Sequence, residues 1–433
     1  MLIKFKVRNF KTFKDEATLS FVASNYDKDV MEEDNVVAID KYNLRLLRSA
    51  VVYGANASGK TKLFDALSFM RYFTITSSKD SQAGEAIEVD PFRLHTESLE
   101  DSSEFELIFL HNNEIYRYGF EANKEKILAE WLYYKPKTKE IEIFYRDEQS
   151  FEIIHPTHFK KGAMIAKENL VRENALFLSV AAQFNDEFAT KIINWFTDLK
   201  TISGLEEKAY ESFTINQLAN GNKNQIIDFI QNADFNIEDI SIESISSEKD
   251  IPSEMPDKLK ELISSNIKKG KKIISDITTH HKVYDDDFNI QDTTNFSMVD
   301  DESNGTKKFF FISGPILDAL ENGYTLFVDE LDSRLHPNLV CKIMSLFNSK
   351  KYNPKNAQLV FNTHNTNLLS ANLLRRDQIW FTDKDRYGAA KLYSLADIKN
   401  VRKTEAFEDN YIQGKYGATP YLKELKLNYG KNL

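Results

Sequence analysis

Apolar and polar residues alternate from the start of the chain. Ile3, Phe5 and Val7 stand against Lys4, Lys6 and Arg8, the two-residue period of a half-buried strand. A second apolar run, Leu47 through Tyr53, ends at a glycine, and after Thr61 the spacing changes to Leu63, Leu67, Met70 and Phe73, which predicts a helix. Strand, glycine-containing loop and helix therefore follow one another. From Glu104 to Ile154 short alternating runs return: Phe105, Leu107 and Phe109 are parted from Ile115, Tyr116, Tyr118 and Phe120 by the turn-forming His111-Asn112-Asn113-Glu114. This predicts an antiparallel meander, continued by Trp131 to Tyr134 and Ile141 to Tyr145 on either side of a polar segment holding Pro136. Beyond Lys167, Leu176, Val180, Phe184, Phe188, Ile192 and Phe196 recur every three or four residues, so a long amphipathic helix is expected. Residues 200 to 300 carry the weakest pattern, with helices expected at Asn224 to Asn232 and Pro256 to Ser265 among acidic stretches such as Asp285-Asp286-Asp287. There is no internal repeat and no sustained heptad.

At 433 residues the chain exceeds what one hydrophobic core usually serves, so two or three lobes are expected. No apolar run approaches the roughly eighteen residues needed to span a bilayer, and the N-terminus lacks a signal-peptide core, so the expected location is cytoplasmic. The single cysteine, Cys341, excludes an internal disulfide framework and a thiolate zinc cluster. With 56 basic and 66 acidic residues the net charge is -10, so any nucleic-acid contact must be local. The densest basic patch is Lys268, Lys269, Lys271 and Lys272, for which a solvated helix end is the simpler account.

The chemistry enters with Gly54-Ala55-Asn56-Ala57-Ser58-Gly59-Lys60-Thr61, which fits G-x-x-x-x-G-K-[ST] between the predicted strand and helix. Glycines let backbone N–H groups curl around phosphate oxygens, and the helix N-terminus adds positive potential. Lys60 would neutralise the β- and γ-phosphates, and the Thr61 hydroxyl would face magnesium. Far along the chain, Thr325-Leu326-Phe327-Val328 ends in Asp329-Glu330, the expected signature of a buried strand that delivers carboxylates to the edge of a sheet. Neighbouring side chains on a strand point to opposite faces, which leaves Asp329 for magnesium and Glu330 to accept a proton from the attacking water.

At this point a family pattern is recognisable. Asp329-Glu330-Leu331-Asp332-Ser333-Arg334-Leu335-His336-Pro337 resembles the Walker B and D-loop stretch of RecF-, SMC- and OLD-like ABC ATPases, and Phe5 to Phe13 resembles their opening strand. Leu359-Val360-Phe361-Asn362-Thr363-His364-Asn365 is similar to the switch strand, whose histidine senses the γ-phosphate. Glu302-Ser303-Asn304-Gly305-Thr306 resembles a shortened ABC signature, which gives Ser303 and Gly305 nucleotide-contacting roles. Asn174 to Ser179, Arg376 to Trp380 and Tyr411 to Pro420 look like the RloA-type AAA-family ATPases of bacterial anti-phage defence operons. Leu-Ser-Gly-Gly-Gln is absent as such, and the Q-loop glutamine stays unassigned, Gln82 being a poor candidate. His336 reads as a D-loop packing residue.

The resemblance implies an α/β fold: an ABC-ATPase head with a mixed sheet around the phosphate loop, an antiparallel β-meander and an inserted helical lobe. It divides the chain into an N-terminal ATPase lobe (1–165), a helical lobe (166–300) and a C-terminal ATPase lobe (301–433) carrying the signature, Walker B and switch histidine. The missing heptads mean that the long coiled-coil arm of some relatives is not encoded. The implied cofactors are ATP and Mg²⁺, adenine being inferred from the resemblance. Catalysis would fall to Glu330, His364 and Lys60, nucleotide binding to Gly54, Asn56, Ala57, Ser58, Gly59, Lys60, Thr61, Ser303 and Gly305, and the metal to Thr61 and Asp329. Two heads would close on two ATPs as a homodimer or larger self-assembly.

Two functional readings follow: an ATP-gated scaffold or sensor controlling an effector, such as a nuclease encoded nearby, or a DNA-binding clamp in repair or restriction. The acidic composition favours the first. A nuclease in its own right is disfavoured, because residues 365 to 433 leave too little chain for a further catalytic domain, and Asp383, Asp385 and Asp397 read as a solvated loop.

Overall fold

The N-terminal alternation is realised as a strand, Leu2–Arg8, with Leu2, Ile3, Phe5 and Val7 buried. The computed structural model describes residues 1–420 except 207, 234, 246, 248–250, 252–254 and 269–272. Lys268 ends a helix, Asp257–Lys268, with its side chain exposed, while Lys269, Lys271 and Lys272 of the basic patch lie outside the described residues. The chain divides into two units, residues 1–199 with 360–433, and residues 200–359.

In the first unit the expected meander is a seven-stranded sheet. Its order is Ser150–Ile154, Ile141–Asp147, Ile127–Lys135, Glu114–Ala122, Ser103–His111, Leu2–Arg8 and Ala17–Ser20. Every pairing is antiparallel. Register follows the alternation, with Phe105 opposite Phe120 and Leu107 opposite Tyr118, so the aromatic residues share one buried face. That face receives the helix Lys60–Thr76: Phe69 lies 5.5 Å from Phe10 and 5.1 Å from Phe105, and Phe73 lies 5.6 Å from Phe120, measured between ring centres. Such aromatic packing fixes the helix axis and with it the loop at its N-terminus.

The strand feeding that loop is Ser49–Tyr53, all five residues buried. It pairs in parallel with Ile379–Lys384, which pairs antiparallel with Ala390–Ser394, so this sheet is mixed. The run beginning at Leu47 is not one strand. Leu44–Leu47 pairs with Val36–Ile39, and Arg48 separates it from Ser49–Tyr53.

The long helix expected beyond Lys167 is also interrupted. Phe177–Gln183 and Glu187–Asp198 are separate helices. Asn185 turns left-handed (φ 59°), and Asp186 caps the second helix by accepting from the N–H groups of Phe188 and Ala189 at 3.1 Å each.

In the second unit the expected helices appear as Lys223–Gln231 and Asp257–Lys268. Three strands that the periodicity did not mark, Ile237–Ile245, Ile273–Tyr284 and Ile290–Ser297, form an antiparallel sheet. Asp285 shapes the turn between the last two, accepting from the N–H groups of Asp287 and Asn289. The buried run Thr325–Asp329 pairs in parallel with Lys200–Ser203, and the helix Asn304–Asn322 packs on Lys208–Ala219 and Lys223–Gln231. Among the described residues no helix is long and apolar enough to cross a membrane.

Candidate nucleotide site

The loop 54–61 leaves the buried strand Ser49–Tyr53 and enters the 17-residue helix Lys60–Thr76 through Gly59, whose φ of 115° suits a residue without a side chain. A Cβ there would come within 3.0 Å of Thr12 Oγ1 and Ala390 Cβ, so the loop is wedged from below. Ala57 is held left-handed at φ 61°, a conformation that costs a non-glycine residue about 1–3 kcal/mol and clusters at functional loops. Asn56 and Ala57 are exposed at the rim, while Ser58, Gly59 and Lys60 are buried.

Ser58 Oγ meets Thr382 Oγ1 at 2.7 Å, so the strand Ile379–Lys384 ties the loop down. The Lys60 side chain, 6% exposed, turns back across the loop and donates from Nζ to Gly54 O (2.8 Å) and Ala55 O (3.1 Å). Gly59 gives the helix no side-chain cap, and the first turn holds no acid. The N–H groups of that turn and the Lys60 ammonium therefore suit an anion, and the arrangement fits a triphosphate. Thr61 sits partly exposed on the same turn.

His364 follows the strand Gln358–Asn362 in the same unit and is exposed; the Thr363 N–H before it donates to Val52 O at 3.2 Å. Gly54, Ala55, Asn56 and His364 line one pocket of about 670 Å³ together with residues of the segment Tyr411–Pro420. The phosphate loop and His364, some 300 positions apart in sequence, thus share a cavity within one unit.

In the second unit the strand Thr325–Asp329 delivers Asp329, but Glu330 is not its next alternating position. Its φ of 54° is left-handed, so a turn of the backbone, rather than strand alternation, sets the carboxylate's direction. Gly204 N–H donates to Asp329 O at 2.6 Å, and a Cβ on Gly204 would stand 2.2 Å from Glu330 O, so only glycine permits this approach. Lys308, wholly buried, donates from Nζ to Glu330 O at 3.3 Å.

Ser303 caps the helix Asn304–Asn322, its Oγ accepting from Thr306 N–H at 3.1 Å. Gly305 lies where a Cβ would be 3.1 Å from Arg334 O, so the signature-like residues touch the stretch after Glu330 within this unit. His336 caps the helix Pro337–Asn348 through Nδ1, a structural role. Among the described residues no group of three or more His, Cys, Asp or Glu side chains could hold a metal. Magnesium at a nucleotide commonly takes only one or two protein ligands, its remaining positions going to phosphate and water oxygens.

Sequence reasoning missed Thr382, Gly204, Lys308 and Tyr411. The first three carry no motif, and the stretch around Tyr411 stood out only through its resemblance to RloA-type proteins.

A strand, glycine-loop, helix unit with a buried loop lysine is the arrangement of a P-loop nucleotide-binding domain. Residues 49–370 match the family described as "AAA domain, putative AbiEii toxin, Type IV TA system", and the chain belongs to this family. No curated protein matches. Among solved structures, the SMC head domain from Thermotoga maritima is similar at 14% identity and a TM-score of 0.40, covering 91% of this chain and 98% of that one. An SMC head bound to the C-terminal winged-helix domain of ScpA gives 12%, 0.38, 91% and 97%. The recombination mediator RecF with ATP gives 14%, 0.32, 90% and 97%. At these values the likeness does not extend to individual residues.

Proposed function

We propose that the protein hydrolyses ATP between paired copies of itself and serves as an ATP-gated scaffold or sensor that controls a partner effector in bacterial anti-phage defence. The observation that carries the catalytic part is the loop itself: a helix N-terminus without a side-chain cap and, on its first residue, a buried Lys60 ammonium that turns back across the loop. On this reading the first-turn N–H groups cradle the inner phosphates, Lys60 reaches from the β- to the γ-phosphate, and the Thr61 hydroxyl and Asp329 would hold magnesium. Magnesium, when bound, supplies charge neutralisation on the phosphate oxygens. Glu330 takes the proton from water, and His364 donates to the terminal phosphate. Ser303 and Gly305 present the N-terminus of a 19-residue helix to the nucleotide of the second copy.

Phosphate contacts made in only one state bias a two-state assembly, so binding closes the pair and hydrolysis reopens it. The family's description as a toxin of a toxin–antitoxin system supports a role in which a second protein restrains or completes the activity. The net charge of -10 argues against a protein that works chiefly on nucleic acid.

The test is Glu330→Gln. The variant should bind Mg-ATP as the parent does, release phosphate about a hundredfold or more slowly, and accumulate as a dimer in size-exclusion chromatography with ATP. Unchanged hydrolysis would remove Glu330 from its role. For the effector, purification from the native host with ATP should retain a stoichiometric second protein that Lys60→Ala loses, and equal recovery with both forms would contradict ATP gating.

A further inference from the structure

We propose that the segment Tyr411–Pro420 forms the terminal-phosphate wall of the nucleotide pocket, with Tyr411 positioning the phosphate loop and Gln413 reaching the ligand. This rests on the nucleotide-binding reading above and names which residues distinguish a triphosphate from a diphosphate.

The segment supplies six of the ten residues lining the pocket shared by the loop and His364. None of the ten is acidic, so the lining does not repel an anion. The inner phosphates belong at the helix N-terminus, beside Gly59, Lys60 and Thr61. The pocket is lined instead by the loop's opposite end, Gly54 to Asn56, which places the outermost phosphate against the segment. Gln413 is exposed there and offers an amide donor, and the partly exposed Thr419 adds a hydroxyl.

Tyr411 is a buried clamp. Its hydroxyl donates to Ala418 O at 3.2 Å, and Gly54 lines the same pocket beside it. Its ring stacks on Phe381 (5.4 Å) and leans on Tyr53 (5.5 Å), the residue before Gly54. Burial pushes the Tyr411 hydroxyl up to about 12, so it keeps the proton it donates to Ala418 O at neutral pH. The helix Phe407–Ile412 also holds the loop after His364, because Glu408 Oε1 accepts from the Thr366 hydroxyl at 2.6 Å. One short element thus fixes both loops that border the pocket. A residue acting only in folding would not alter the preference between nucleotides.

The experiment is calorimetric titration of the full chain with Mg-ATP and Mg-ADP, alongside thermal unfolding of each form without nucleotide. The unsubstituted protein should bind both and Lys60→Ala neither. Gln413→Ala and Tyr411→Phe should keep ADP affinity within about twofold and lose ATP affinity about tenfold, with unfolding of Gln413→Ala unchanged. If Tyr411→Phe does not fold, Gln413→Ala, altered only at an exposed side chain, decides alone. Unaltered ATP affinity in Gln413→Ala, or an equal loss for both nucleotides, would overturn the assignment. Failure of the unsubstituted protein to bind either nucleotide would instead remove the nucleotide reading on which it rests.

Discussion

Gly204→Ala is the smallest change that should separate nucleotide binding from turnover. Gly204 follows the strand Lys200–Ser203, whose last residue is in register with Asp329. A methyl group on it would stand 2.2 Å from Glu330 O and 2.8 Å from Asp329 O, both backbone atoms that cannot swing aside. Reaching an ordinary contact of 3.4 Å moves the Glu330 carbonyl by about 1.2 Å, which stretches the 3.3 Å bond it accepts from Lys308 Nζ and disturbs the adjacent 2.6 Å bond from Gly204 N–H to Asp329 O. On the proposed role of Glu330, displacing a reacting group by about 1 Å costs on the order of a hundredfold in rate, equivalent to about 2.7 kcal/mol on the barrier. Overpacking should cost folding stability about 1–3 kcal/mol. Affinity for Mg-ATP should stay within about twofold, because the hydrogen bonds within the phosphate loop are untouched. Phosphate release at saturating ATP, nucleotide titration and urea unfolding on the same preparation measure the three quantities. A folded variant whose turnover lies within about threefold of the parent would refute the reasoning, since Glu330 would then tolerate the shift.

Two further outcomes concern the scaffold. Glu130 and Arg146 are an ion pair with both side chains fully buried, and the carboxylate also accepts from Tyr118 Oη and from the N–H groups of Phe177 and Leu178. Glu130→Ala leaves two amides without their acceptor and the buried guanidinium without a countercharge, its remaining partners being the carbonyls of Glu148, Arg172 and Ala175, and should cost about 3–5 kcal/mol, read as a lowered urea midpoint; an unmoved midpoint would contradict it. Burial pushes His111 down to about 4, with the Lys191 ammonium adding to the effect, so the folded state holds it neutral while the unfolded chain protonates near 6.5. Its contribution is therefore complete above pH 6.5 and is lost as pH falls toward 4, by about 1–2 kcal/mol after allowance for solvent screening. Unfolding at pH 7 and pH 5 should show a smaller difference for His111→Asn than for the parent, and equal differences would exclude His111 as the source.

Contiguous residues were enough to specify the loop 54–61, the helix behind it and the antiparallel meander. Each depends on local backbone geometry or on a two-residue period with one buried face, so neighbours in sequence carry the whole signal. The helical period from Leu176 to Phe196 misled for the same reason: it runs on across the turn at Asn185, where backbone conformation, not periodicity, ends the helix. The strands Ile237–Ile245, Ile273–Tyr284 and Ile290–Ser297 escaped notice because the outer ones lack a two-residue alternation: Ile290–Ser297 is largely exposed, and in Ile237–Ile245 the buried residues are Ile237, Ile240 and Ile245.

Tertiary structure alone decided what supports the phosphate loop in the first unit and Glu330 in the second. Ser58 meets Thr382 across 324 positions, the Tyr411 ring leans on Tyr53 just before the phosphate loop, and Gly204 abuts Glu330 with over a hundred residues between them. A serine, a threonine or a glycine has no special meaning in isolation. It acquires one where packing brings it within hydrogen-bonding or van der Waals distance of the loop it steadies, and that distance is a property of the folded core, which no local window contains.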